Sequence, residues 1–116
     1  MLFRSGALVA LGRDDGSGFL RPDVAVAKAY GVLGLAMDSR AIAGRAADSP
    51  EFFTSVATLA GGKVFSVPGG VFVHDADGTL LGGAGASGDA SLADEEAVVA
   101  GIRAAGLVPR TGAEEQ

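Results

Sequence analysis

With 116 residues, the chain has material for one domain rather than two. A hydrophobic share of 48% and a mean hydropathy of +0.36 exclude general disorder, and 19 glycines with only 6% aromatics and no Trp require a core of small and aliphatic side chains. A net charge of −5, with no basic stripe, excludes long-range attraction of nucleic acid, and the absence of Cys excludes disulfides, thiolate catalysis and cysteine metal sites.

Residues 7–13 predict a short buried strand, preceded by a turn over 3–6 and by Met1–Phe3 as the remnant of an earlier strand. Asp14–Gly18 is a loop by composition. A helix follows, with Pro22 in its first turn and Asp23 at the positive end of its dipole. Val26, Tyr30, Leu33 and Met37 predict one apolar stripe on it. Gly31 and Gly34 cost roughly 1 kcal/mol each relative to Ala, which implies close packing on their face.

Ser39–Ala47 predicts a short helix, and Ser49-Pro50-Glu51 opens another through about Leu59, ended by Gly61-Gly62. Residues 63–67, 71–74 and 79–86 predict three strands. Pro68-Gly69-Gly70 forms the turn between the first two, and Asp75–Gly78 is a hairpin turn. Ser91 is the expected N-cap of the last helix, with Asp94 in capping-box spacing, Glu95 and Glu96 in the first turn and Arg103 near the other end. Leu107–Pro109 closes a domain of residues 1–109, and 110–116 is a polar tail. The order predicts an α+β domain with one small antiparallel sheet.

No uncharged apolar run approaches the ~18 residues of a membrane span. The first apolar stretch is short and runs into charge, unlike a signal peptide, so a cytoplasmic protein is expected.

Several motifs resemble chemistry. Gly83-x-Gly85-x-x-Gly88 has dinucleotide-binding spacing, but no second parallel strand follows the helix and no acidic residue near Val108 could take a ribose. Close strand packing, or an anion held at the helix start, are the other readings. Asp75-x-Asp77-Gly78 and Asp14-Asp15-Gly16 lack the Glu a calcium loop needs at its twelfth position. Ser87 is not in a Gly-x-Ser-x-Gly elbow, and no His/Asp pair lies nearby in sequence. No catalytic constellation is evident. His74, the only imidazole, is either a haem or metal ligand or a surface or satisfied histidine; Tyr30, Met37 and Lys28 are the other conceivable axial donors.

Pro68-Gly69-Gly70-Val71, Asp77-Gly78, Gly82-Gly83-Ala84-Gly85-Ala86-Ser87-Gly88, Asp94-Glu95-Glu96 and Ala100-Gly101-Ile102 together resemble the GlcG/HbpS-like family. In the N-terminal half, Ser5-Gly6-x-Leu8-Val9, Arg13-x-Asp15-Gly16 and Asp23-x-Ala25-x-x-Lys28-Ala29 resemble that family's first hairpin and helix. The resemblance covers nearly the whole chain. It implies a profilin-like α/β sandwich, self-association into dimers or larger assemblies, and haem binding, in some members coupled to haem degradation or redox sensing. The same domain occurs at the C-terminus of PduO-type proteins. The family usually begins with a helix and a full central strand, of which only Met1–Phe3 is expected here; Arg4 and Phe72 replace its usual Asp and Pro.

The leading expectation is a small-ligand binding module with haem as its ligand, held in an apolar slot between helix and sheet. By their place in the motifs, Arg21, Lys28, Gly69, Gly70, Gly85, Ser87, Gly88 and Asp94 are the expected ligand-binding residues, with His74 the axial candidate. Two alternatives stand beside it. One is an enzyme or accessory subunit acting on a small hydroxy- or keto-acid, in which Lys28 binds a carboxylate and Asp94 or Glu95 moves protons. The other is an oligomer-forming structural subunit without a ligand.

Overall fold

The computed structural model describes residues 1–112. Its elements are β1 (Leu2–Phe3), α1 (Arg21–Leu35), α2 (Ser39–Asp48), α3 (Pro50–Leu59), β2 (Gly70–His74), β3 (Leu80–Gly85), α4 (Ser91–Ala104) and β4 (Val108–Arg110). The strands form one antiparallel sheet in the order β1-β3-β2-β4, an α+β architecture as the pattern of elements predicts.

The β2–β3 hairpin is the centre of the sheet. Its turn follows from local chemistry: the Asp75 carboxylate accepts from the Asp77 and Thr79 amides, both at 2.9 Å, and Gly78 takes the positive φ of 85° the turn needs. Alternation then divides the sheet faces. Val71 and Val73 are fully buried against Ile102 of α4, with Val98, Val99 and Leu107 around them. Gly70 and Phe72 face the other way, towards α1 and a second cluster of Val32, Ile42 and Val64 that α2 and α3 complete. The result is a sandwich, with α4 on one face of the sheet and α1 on the other.

α1 sits on the sheet through backbone. A Cβ at Gly70 would overlap the Lys28 carbonyl, and one at Gly85 would overlap the Ala25 carbonyl. The buried face of α1 is correspondingly small: Ala27, Lys28, Ala29, Gly31 and Val32. The expected stripe is therefore displaced. Val26, Tyr30 and Leu33 are only half-buried, and Met37 lies past the helix end. Gly31 does pack closely, against Val64 at 3.4 Å, whereas Gly34 is exposed.

Other expectations are corrected. Residues 7–13 make no strand; Leu8 forms an isolated bridge with Leu2, and the segment is exposed. Residues 63–67 are not a strand either, because β2 already has β3 and β4 on its two edges; only Val64 of that run is buried. Ala90, not Ser91, is the N-cap of α4, and it has no side-chain cap. Arg110, placed in the polar tail by composition, lies in β4, and Thr111 is buried; the rest of that tail, 113–116, lies outside the described residues. No helix among the described residues is long and apolar enough to cross a membrane.

Helix α1 ends on Ala36 in the left-handed region, φ 52°, with Met37 N–H bonded to the Val32 carbonyl. An alanine there is strained relative to glycine. Urea unfolding is expected to show Ala36→Gly more stable by about 1 kcal/mol. Gly70→Ala is expected to lose about 3 kcal/mol or more, because backbone cannot yield to the new methyl.

Candidate functional site

The sequence-predicted residues separate into three places. Arg21, Gly85, Ser87 and Gly88 line one cavity. Lys28, Asp94, Gly69 and Gly70 meet in a buried polar junction. His74 stands apart, at the other end of β2.

The cavity has a volume of about 520 Å³, within the range of small-molecule sites. Its floor is the start of α1 (Arg21, Pro22, Ala25) and the end of β3 running into Gly85–Gly88. Close seating of α1 on Gly85 brings these two segments together, and the Arg21 guanidinium donates to the Ser87 hydroxyl at 3.3 Å across them. The opposite wall is the N-terminal segment, including Leu11, Gly12, Arg13, Asp14 and Ser17, with Met1 beside it. That wall holds its shape largely through its own bonds: Arg13 donates to the Ser17 carbonyl at 3.0 Å and the Ser17 hydroxyl to the Asp14 carbonyl at 2.8 Å. The Met1 amine donates to the Ala10 carbonyl at 2.7 Å, and desolvation holds its pKa below the usual α-amino range. The cavity thus offers apolar surface, flat backbone and two guanidinium groups.

Arg13 and the 10–17 wall were not among the expected site residues. The expected strand at 7–13 would have taken Leu11 and Arg13 into a sheet. Nothing local in the sequence marks Arg13 as facing Arg21.

The polar junction is built differently. Lys28 is 3% exposed and Asp94 6%, and the ammonium donates to Asp94 Oδ2 at 3.1 Å. Asp94 Oδ1 accepts from the Asp89 amide at 2.9 Å, so the carboxylate closes the start of α4 that lacks an N-cap side chain. Gly69 leaves the space that the Lys28 side chain occupies: a Cβ there would lie 2.8 Å from Cδ and 2.9 Å from Nζ. The Ser39 hydroxyl accepts from the Gly69 amide at 3.2 Å and donates to the Gly70 carbonyl at 3.0 Å. Arg40 donates to Glu95 Oε1 at 2.6 Å.

These groups are committed to one another. Lys28 has a buried partner rather than a free ammonium for a substrate carboxylate. Asp94 and Glu95 are engaged by cations, which gives no support to proton transfer by either. The junction ties α1, α2, α4 and the start of β2 together.

His74 pairs with Leu80 and Val108 in the sheet and packs edge-on to Phe72, ring centroids 6.3 Å apart. Gly70, opposite Gly85, is four residues away, about 13 Å along the strand. The imidazole does not line the cavity. Among the described residues no cluster of three or more His, Asp or Glu could hold a metal ion.

The fold is an α+β sandwich with a half-open cavity at one end of its central hairpin. A family model described as haem-degrading protein, HbpS-like, matches residues 2–103, and the chain belongs to that family. Two crystal structures share the fold. A PduOC:heme complex aligns with TM-score 0.74 at 21% identity, covering 95% of this chain and 77% of that one. Protein ORFY of Klebsiella pneumoniae, from the DUF336 family, aligns with TM-score 0.69 at 18% identity. That alignment covers 82% of this chain and 64% of ORFY. No curated protein sequence matches the chain.

Removing one partner of a buried ion pair costs about 3–5 kcal/mol, because the other charge is left alone in a dry site. Lys28→Met is expected to lose that much in chemical unfolding. The double variant Lys28→Met/Asp94→Asn, which keeps an acceptor for the Asp89 amide, is expected to be clearly more stable than Lys28→Met alone. Additive losses in the double-mutant cycle would show that the two groups are not coupled.

Proposed function

We propose that the protein is a haem-binding module and that the cavity between residues 10–17, the start of α1 and Gly85–Gly88 is its binding site. The single observation that carries this reading is the composition of that cavity. Arg13 and Arg21 present two cations, while Leu11, Pro22, Ala25 and the small residues after β3 present apolar and flat surface. A porphyrin needs both: an apolar slot for the macrocycle and cations for its propionates. The family and the fold of the PduOC:heme complex agree with it.

In this reading Arg13 and Arg21 would hold the propionates, with Ser87 orienting Arg21, and the backbone at Gly85–Gly88 would allow close approach of the ring. Haem would supply a redox-active iron; the chain supplies binding, orientation and partial exclusion of water. The polar junction of Lys28 and Asp94 acts one step removed, by fixing where α1 and α4 begin.

Self-association is part of the reading. Leu8, Val9 and Leu11 are about half exposed, as is Phe3 of the edge strand β1, and a second copy of the chain could cover this apolar surface.

Titration of the protein with hemin is expected to give a saturable shift of the Soret band. Arg13→Ala and Arg21→Ala should each weaken binding by up to about fivefold, with affinity falling as salt rises. A Soret band unchanged from hemin in buffer alone would remove haem from this account.

A further inference from the structure

We infer that this cavity recognises a tetrapyrrole by its carboxylates and its flat face, not by a nitrogen ligand to the metal, so that the metal-free ring binds about as tightly as haem. The inference rests on the reading of the cavity as a haem site and deepens it by naming the ligand class.

Tight capture of haem iron by a protein uses an imidazole, thiolate or phenolate, or a thioether paired with one of these. The cavity lining contains none of the first three. The chain has one histidine, no cysteine and one tyrosine. The histidine lies at the far end of β2 against Phe72, and its Nδ1 is buried there without a hydrogen-bond partner. The tyrosine borders a different, smaller niche with Arg4 and Leu33, under the Lys63 ammonium at 5.3 Å from the ring.

The remaining donors in the lining are weak or differently used. Met1 offers a thioether with no second strong ligand across the cavity among the described residues, and its amine is bonded to the Ala10 carbonyl at 2.7 Å. Asp14 offers a carboxylate in an exposed turn next to Arg13. The hydroxyl of Ser87 is bonded to Arg21. By contrast the two guanidinium groups stand on opposite walls, Arg13 on the N-terminal segment and Arg21 on α1. What the cavity can read is therefore charge and shape at the ring's edge and face.

The test is a parallel titration of the full chain with hemin and with protoporphyrin IX, read by quenching or enhancement of porphyrin fluorescence and by the Soret band. The expected result is saturable binding of both, with dissociation constants within about threefold of each other. Arg21→Ala should weaken both by the same factor. His74→Gln should leave both unchanged, and its unfolding curve would confirm a folded protein. Hemin binding more than tenfold tighter than protoporphyrin IX would overturn the inference while leaving the haem reading intact. So would a loss of hemin binding alone in His74→Gln. Failure of both ligands to bind would overturn the haem reading, and this inference with it.

Discussion

The structure depends on backbone lying directly on backbone where α1 crosses the β2–β3 hairpin. Gly70 and Gly85 are opposite one another in the hairpin, and each takes a carbonyl of α1 where a side chain would otherwise stand. The helix answers with the small Ala25 and Ala29 against Gly85, while Gly31 takes Val64 on another part of its buried face. Such contact gives each residue little apolar area, but it makes the position of α1 nearly immovable, since neither surface has side chains that can rotate away. The cavity is a consequence. Its floor is the line where the first turn of α1 meets the strand end after Gly85.

The same close approach explains a lysine in the core. Lys28 lies on the seated face of α1, and the glycine at position 69 leaves room for its side chain to run to Asp94. A buried ion pair is a poor source of net stability, because desolvation offsets most of the Coulomb attraction. What it supplies here is position. Asp94 sits in the first turn of α4, and Ser39 and Arg40 bring α2 to the same place through Gly69, Gly70 and Glu95. Three helices on two faces of the sheet are thus tied to the start of one strand.

What was legible in the sequence was what local chemistry decides. The Asp75–Gly78 turn, the valines alternating at 71 and 73, Pro22 at a helix start and the acidic first turn of α4 all act within a few residues of themselves, whereas the N-cap expected at Ser91 falls on Ala90. What was not legible depends on partners far along the chain. Lys28 is expected from its place in the motifs to meet a ligand, and nothing local marks its pairing with a carboxylate 66 positions away. The apolar runs at 7–13 and 63–67 look like strands because short apolar runs carry no period of their own; neither joins the sheet, and 7–13 makes only the isolated bridge of Leu8 to Leu2. The glycine-rich stretch after residue 82 was correctly read as a surface for close packing, and its end lines the cavity, but the facing wall at Arg13 came from a segment whose expected strand does not form. The family resemblance stated from motifs is the family the chain belongs to.

The central claim is that ligand recognition occurs in the niche between the N-terminal segment, the start of α1 and the end of β3. Mapping amide NMR signals during a hemin titration tests it most directly. The account predicts that intensity is lost first at residues 10–17, Arg21–Ala25 and Gly85–Gly88, with β4 and the His74 end of β2 little changed. Loss centred on His74 and Val108–Arg110, with residues 10–17 undisturbed, would contradict it.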